Sequence, residues 1–221
     1  MADWHFVNFF DCAEPTARER GVAEAAAAVR RGDLVVLPTD TVYGIGADAF
    51  QPASVTALLN AKGRGRHMPP PVLVGSPDAV DELAERLPGA ARDLIAAFWP
   101  GALSIVVTHL PTLRWDLGDL AGTVALRMPH HPVALDLLRR TGPMAVSSAN
   151  LTRQPVAATA AEAAAQFGDR VSVYLEAGPS PDLVPSTIVD VTGARPRVVR
   201  AGAIPLEKLR DVVADVVGPE S

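Results

Sequence analysis

Four short stretches of this 221-residue chain carry the side chains best suited to chemistry. Lys62-Gly63-Arg64-Gly65-Arg66 places a lysine and an arginine two residues apart among glycines. Such a segment can grip a polyphosphate: the ammonium is a compact point charge, the guanidinium a planar fork, and the glycines keep the backbone open. The same charges at a helix C-terminus can also serve only as a cap. Of the twenty basic side chains only Lys62 and Lys208 are lysines, so Lys62 keeps a small ammonium in a chain that otherwise uses arginine. Thr39-Asp40-Thr41 follows the apolar run LVVLP, Ser147-Ser148-Ala149-Asn150 follows MAV, and Arg127 stands near the end of TVALRM. Polar groups at strand ends can converge on one ligand, because loops leaving an α/β sheet open onto a common crevice. Singly, each cluster is also ordinary turn or capping chemistry.

Other motifs do not hold. Gly44-Ile45-Gly46-Ala47-Asp48-Ala49 loosely matches a dinucleotide fingerprint, but six residues separate it from the preceding strand and no helix follows until Pro52. The chain has no Walker-type phosphate loop and no G-x-S-x-G nucleophile elbow. Its histidines (5, 67, 109, 130 and 131) show no metal-ligand spacing, and His130-His131-Pro132 reads as the start of a helix. Cys12 is the lone cysteine, which excludes an internal disulfide, and nothing beside it would activate a thiol.

The elements that must position these groups alternate along the chain. Helices are predicted at 24–31, stopped by Gly32; at 52–62, with Pro52 in the first turn and Gly63 after the end; at 77–98, broken at Pro88-Gly89; at 132–140; at 159–167; and at 205–217. Apolar runs of strand length lie at 33–37, 72–74, 104–108, 123–128, 144–146, 171–175, 186–191 and 197–201. This alternation predicts an α/β fold, a single domain whose twisted mixed or parallel sheet is flanked by helices. No repeat or linker interrupts it, and GPSPDLVPS reads as a loop within that domain.

Hydrophobic residues make up 48% of the chain and charged residues 20%, an ordinary globular balance, and the net charge of −5 argues against wholesale coating of nucleic acid. The N-terminus lacks a signal-peptide pattern and no run is long enough to span a membrane, so the expectation is a cytoplasmic protein.

Seven segments in order resemble the threonylcarbamoyl-AMP synthase family, the YrdC-like domain: LVVLPTDTVYGIGADAF, LLNAKGR, FWPGALSIVV, TVALRMPHHPVA, AVSSAN, STIVDVTG and VVRAGAI. The resemblance implies one YrdC-like domain over 1–221, with its core at about 22–205 and without the second C-terminal domain of longer members. It implies a concave, positively lined cavity on the sheet, with Mg2+ and ATP, L-threonine, and bicarbonate or CO2 as reactants. The product, threonylcarbamoyl-AMP, would pass to partner proteins that modify an adenosine of tRNA; direct contact with tRNA is left open. By residue, the resemblance assigns Lys62, Arg64, Ser148 and Asn150 to catalysis. With Thr123 and Arg200 these would hold ATP, while Thr39, Thr41, Arg127 and Ser186 would hold threonine. The chain departs from the family pattern at Gly65-Arg66-His67-Met68, at Leu73 in place of a histidine, and at Val156 in place of a serine. Two other readings stand beside this one. A non-catalytic RNA-binding module would call for aromatic platforms, and aromatics are only 5% of the chain. The other is a different carbamoyl-adenylate-forming domain.

Overall fold

The computed structural model describes residues 8–119 and 121–219. The readings of the N-terminal pattern at 1–7 and of His5 lie outside the described residues. Ten strands form one mixed sheet: β1 (Asn8–Asp11), β2 (Val35–Leu37), β3 (Gly44–Asp48), β4 (Val72–Leu73), β5 (Leu103–Thr108), β6 (Thr123–Arg127), β7 (Met144–Ser148), β8 (Val173–Glu176), β9 (Thr187–Asp190) and β10 (Arg197–Arg200). Their spatial order is β1-β8-β2-β3-β7-β4-β6-β5-β9-β10. Among the described residues six α-helices flank the sheet: α1 (Pro15–Arg31), α2 (Pro52–Lys62), α3 (Gly89–Phe98), α4 (Pro132–Thr141), α5 (Ala160–Phe167) and α6 (Leu206–Val212).

Side-chain alternation sorts the core into two layers. One face of the sheet, with Val36, Ile45, Val72, Ile105, Leu126 and Ala145, packs against α2, α3, α5 and the α6 region. The other face, with Val35, Leu37, Leu73, Met144 and Val146, packs against α1 and α4 through Val22, Ala25, Val29, Val133 and Leu137. Residues of a strand two apart share a face, so Gly44, Ser104 and Arg127 belong to the second face as well. Helices α1 and α4 leave that stretch uncovered, and the cavity described below forms there.

Several elements differ from expectation. Helix α1 begins at Pro15, capped by the Glu14 carboxylate, rather than at 24. The GIGAD segment is strand β3, antiparallel to both β2 and β7. A Cβ at Gly44 would lie 2.5 Å from Cγ1 of Val146 on the neighbouring strand, so glycine is required there by close packing. The stretch 77–98 is one 3-10 turn at Pro77–Val80 and then α3, with no helix between them. The final helix stops at Val212. Strand β1 and the buried Leu209, Val213 and Val216 extend the packed body on both sides of 22–205. No helix among the described residues is long and apolar enough to cross a membrane.

Candidate active site

Helix α2 ends on Gly63, which adopts a left-handed conformation (φ 64°) and donates to the Asn60 carbonyl. This cap turns the chain so that Lys62 points into the protein and Arg64 into the cavity. Lys62 is 1% exposed, and its ammonium donates to the carbonyl oxygens of Ser148 and Asn150. Its own carbonyl accepts from the Thr152 amide and hydroxyl. Burial, and secondarily the charge of Arg64, lower its pKa to about 7. Arg64 Nη1 donates to Ser147 Oγ at 3.0 Å, and its Nε is buried without a partner.

Arg127 is held from three sides. Its Nε donates to Gly101 O (2.9 Å), Nη1 to Thr41 Oγ1 (2.9 Å) and Nη2 to Asp40 Oδ1 (2.7 Å). Asp40 is fixed in turn by the His130 amide at 2.9 Å. A guanidinium has five N–H donors, so one hydrogen remains on each terminal nitrogen for a further acceptor, and a carboxylate is the acceptor a guanidinium pairs with best. The FWPG turn, with a cis Trp99–Pro100 bond, delivers the Gly101 carbonyl to this network. The Thr39 hydroxyl is engaged by its own loop: it accepts from the Thr41 and Val42 amides and donates to Val42 O.

Ser104 Oγ on β5 and Ser186 Oγ, in the residue just before β9, are 2.9 Å apart. Arg200 donates to Ser186 O through both Nε and Nη2, and through Nη2 to Ser186 Oγ. These groups line one cavity of about 310 Å³, together with Gly44, Pro71, Leu73, Val146, Ser148, Val156, Leu183 and Pro185.

The cavity carries far more positive than negative charge. Burial lowers the pKa values of Arg64, Arg127 and Arg200, as it does that of Lys62; the Arg64 charge presses further on Arg200. Among the described residues only Arg127 of this group forms an ion pair with a carboxylate. Such a pocket is built for anions: a planar monoanion at Arg127 and a multiply charged one at Arg64 and Arg200. No three His, Cys, Asp or Glu side chains among the described residues are grouped to hold a metal ion.

The structure brings Thr39, Thr41, Arg64, Arg127, Ser148, Ser186 and Arg200 to the cavity wall. Lys62 and Asn150 lie behind it. Asn150 Oδ1 accepts from Ser148 Oγ at 2.6 Å, and its amide nitrogen donates to Leu151 O and Gln154 O, which orients the Ser148 hydroxyl from the rear. Thr123 is not among the residues that line this cavity. It opens β6, opposite Thr108, four residues and roughly 13 Å along the strand from Arg127. Arg66 pairs with Asp116 and Asp119 on the surface. Asp40, Ser104 and Ser147 acquire contacts that their sequence positions did not assign them.

The route to convergence also differs from expectation. Strand β6 runs opposite to β2 and β7, so the three polar clusters do not share one sheet edge. They meet because the Thr39–Thr41 loop reaches Arg127 on the uncovered face. The readings of Cys12 and His131 are consistent with the structure. Cys12 is buried, which pushes its thiol up to about 11, and the His131 ring caps the start of α4.

Comparison with known proteins adds independent observations. The family described as Sua5_yciO_yrdC, "Telomere recombination", matches residues 27–202. A Mycobacterium tuberculosis (strain H37Rv) protein provisionally named threonylcarbamoyl-AMP synthase is 58% identical over 204 residues, 92% of this chain and 94% of that protein. The Bacillus subtilis (strain 168) threonylcarbamoyl-AMP synthase is 34% identical over 213 residues, 96% of this chain and 61% of that protein. The crystal structure of P. abyssi Sua5 complexed with L-threonine superposes with a TM-score of 0.86 at 30% identity; the match covers 96% of this chain and 62% of that one.

Proposed function

The chain belongs to the Sua5/YciO/YrdC family, and from that premise we propose that it forms threonylcarbamoyl-AMP from L-threonine, bicarbonate or CO2, and Mg-ATP. The observation that carries the reading is the pairing, in one cavity, of a carboxylate fork at Arg127 with unneutralised cations at Arg64 and Arg200. An amino acid held at Arg127 keeps its amine free to take up CO2 as a carbamate. A carbamate oxygen then attacks the α-phosphorus, the Pα–O bond to the β-phosphate breaks, and pyrophosphate departs. Arg64 and Arg200 hold triphosphate oxygens and offset the charge that grows on the leaving group. Lys62 adds its field from behind the wall, and Ser148 offers a hydroxyl whose direction Asn150 sets. Mg2+, bound through ATP, would supply neutralisation of phosphate charge. Holding a short-lived carbamate against the phosphate is the main service of such a site.

The adenylate produced is an activated acyl donor, suited to transfer onto a tRNA adenosine by partner proteins in the cytoplasm. Arg127 favours this reading over a carbamoyl-adenylate enzyme that takes no amino acid, because the N–H groups it does not spend on Gly101, Thr41 and Asp40 suit a substrate carboxylate. Pyrophosphate release should require ATP, threonine and bicarbonate together. Equal release without threonine would refute the proposal.

A further inference from the structure

We propose that Leu73 and Val146 form the surface that selects threonine over serine, by receiving the β-methyl group of the amino acid held at Arg127. The inference rests on the reaction proposed above and assigns its side-chain subsite.

The strand register sets out a row of side chains across the uncovered face. Leu73 of β4 is the register partner of Arg127 in the parallel β4–β6 pair, so the two stand side by side on that face. On its other flank Leu73 pairs with Met144 of β7, and Val146, two residues further on, shares that face. The isopropyl group of Val146 fills the space over the two glycines of β3. A Cβ at Gly44 would approach its Cγ1 to 2.5 Å, and one at Gly46 its Cγ2 to 3.1 Å. Beyond Arg127 in the other direction lies Ser104, since Ile105 pairs with Leu126, and Ser104 Oγ is 2.9 Å from Ser186 Oγ.

Arg127 therefore sits between a hydroxyl pair and a hydrocarbon surface. Threonine has the matching asymmetry, because its Cβ bears one hydroxyl and one methyl group. Leu73 and Val146 are each 4% exposed, and both line the cavity, so the little surface they show is available to a ligand. Serine would make the hydroxyl contacts and leave that surface uncovered. Burying one methyl group favours the larger substrate by about fourfold from transfer alone. A fitted pocket raises the preference to on the order of tenfold or more. Leu73 is also a position at which the chain departs from the family pattern.

The test is kcat/KM for L-threonine and for L-serine, read as bicarbonate-dependent pyrophosphate release, in the wild type, Leu73→Asn and the near-isosteric Val146→Thr. The ratio of the two substrates within one preparation does not depend on how much of it has folded. The wild type should prefer threonine by on the order of tenfold, and each substitution should bring the ratio several-fold towards one, mainly by lowering the threonine value. A wild-type ratio near one, or a ratio unchanged in both variants, overturns the inference. Wild-type turnover that depends on no amino acid would instead overturn the reaction on which it rests.

Discussion

Titrating Mg-ATP into the protein at pH 8 should draw a proton out of solution and onto Lys62. In the free protein this ammonium is buried beside Arg64, which brings its pKa from the ordinary 10.5 to about 7. At pH 8 Lys62 is therefore roughly nine-tenths neutral. A triphosphate settling on Arg64 neutralises the nearby positive charge and favours the protonated amine, so its pKa moves back up. Uptake should be roughly 0.9 proton per ATP at pH 8 and roughly 0.5 at pH 7. Above pH 8, ATP affinity should then fall by nearly tenfold per pH unit, until the pKa of the complex is reached. The same depression governs the unliganded fold. Between about pH 7 and 10.5 the unfolded chain binds more protons at Lys62 than the folded one, so this residue's contribution to stability rises with pH across that window. Calorimetric titrations in buffers of different ionisation enthalpy give the proton count as a slope. Lys62→Met should remove most of it. A slope near zero in the wild type, or an equal slope in Lys62→Met, would refute the argument.

Arg127→Lys should weaken threonine binding by ~1–3 kcal/mol, because an ammonium cannot present the paired in-plane donors, while ATP binding, measured by calorimetry, changes little. Asp40→Asn should raise the threonine KM by roughly tenfold, on the scale of one charged hydrogen bond, with Asp40→Glu restoring part of it. Arg200→Lys should weaken both ligands, since Arg200 also holds the carbonyl and hydroxyl of Ser186; separate titrations with ATP and threonine decide this. Gly44→Ala places a methyl group 2.5 Å from Val146 Cγ1 and should cost ~1–3 kcal/mol, read by calorimetry as a fall of about 2–4 °C in Tm per kcal/mol.

What could be read in the sequence was what neighbouring residues decide. Helix α2 carries both of its punctuation marks, Pro52 in the first turn and Gly63 at the cap, and its bounds were legible. Strand β3 was not, because GIGAD bears glycines wherever it faces Val146 and so shows little apolar alternation. At the site, residue type was enough to single out Arg64, Arg127 and Arg200 as candidates, and all three line one cavity. Which polar groups remain available was not legible, because that depends on contacts distant in sequence. Lys62 is enclosed by carbonyls 86 and 88 residues away, and Asn150 spends its amide on its own loop. Ser104 looked like the start of an ordinary strand. Only the pairing of β5 with β6 puts it beside Arg127. The resemblance assigns Arg200 and Ser186 to different substrates, yet they are joined by direct hydrogen bonds, so the two proposed subsites would share a wall.

The most direct test of the reaction is to trace its atoms. Protein incubated with Mg-ATP, 15N-threonine and 13C-bicarbonate should yield, by rapid quench and mass spectrometry, a single AMP adduct that carries both labels, together with one pyrophosphate per adduct. An AMP adduct lacking either label, or ADP and phosphate in place of pyrophosphate, would contradict the account.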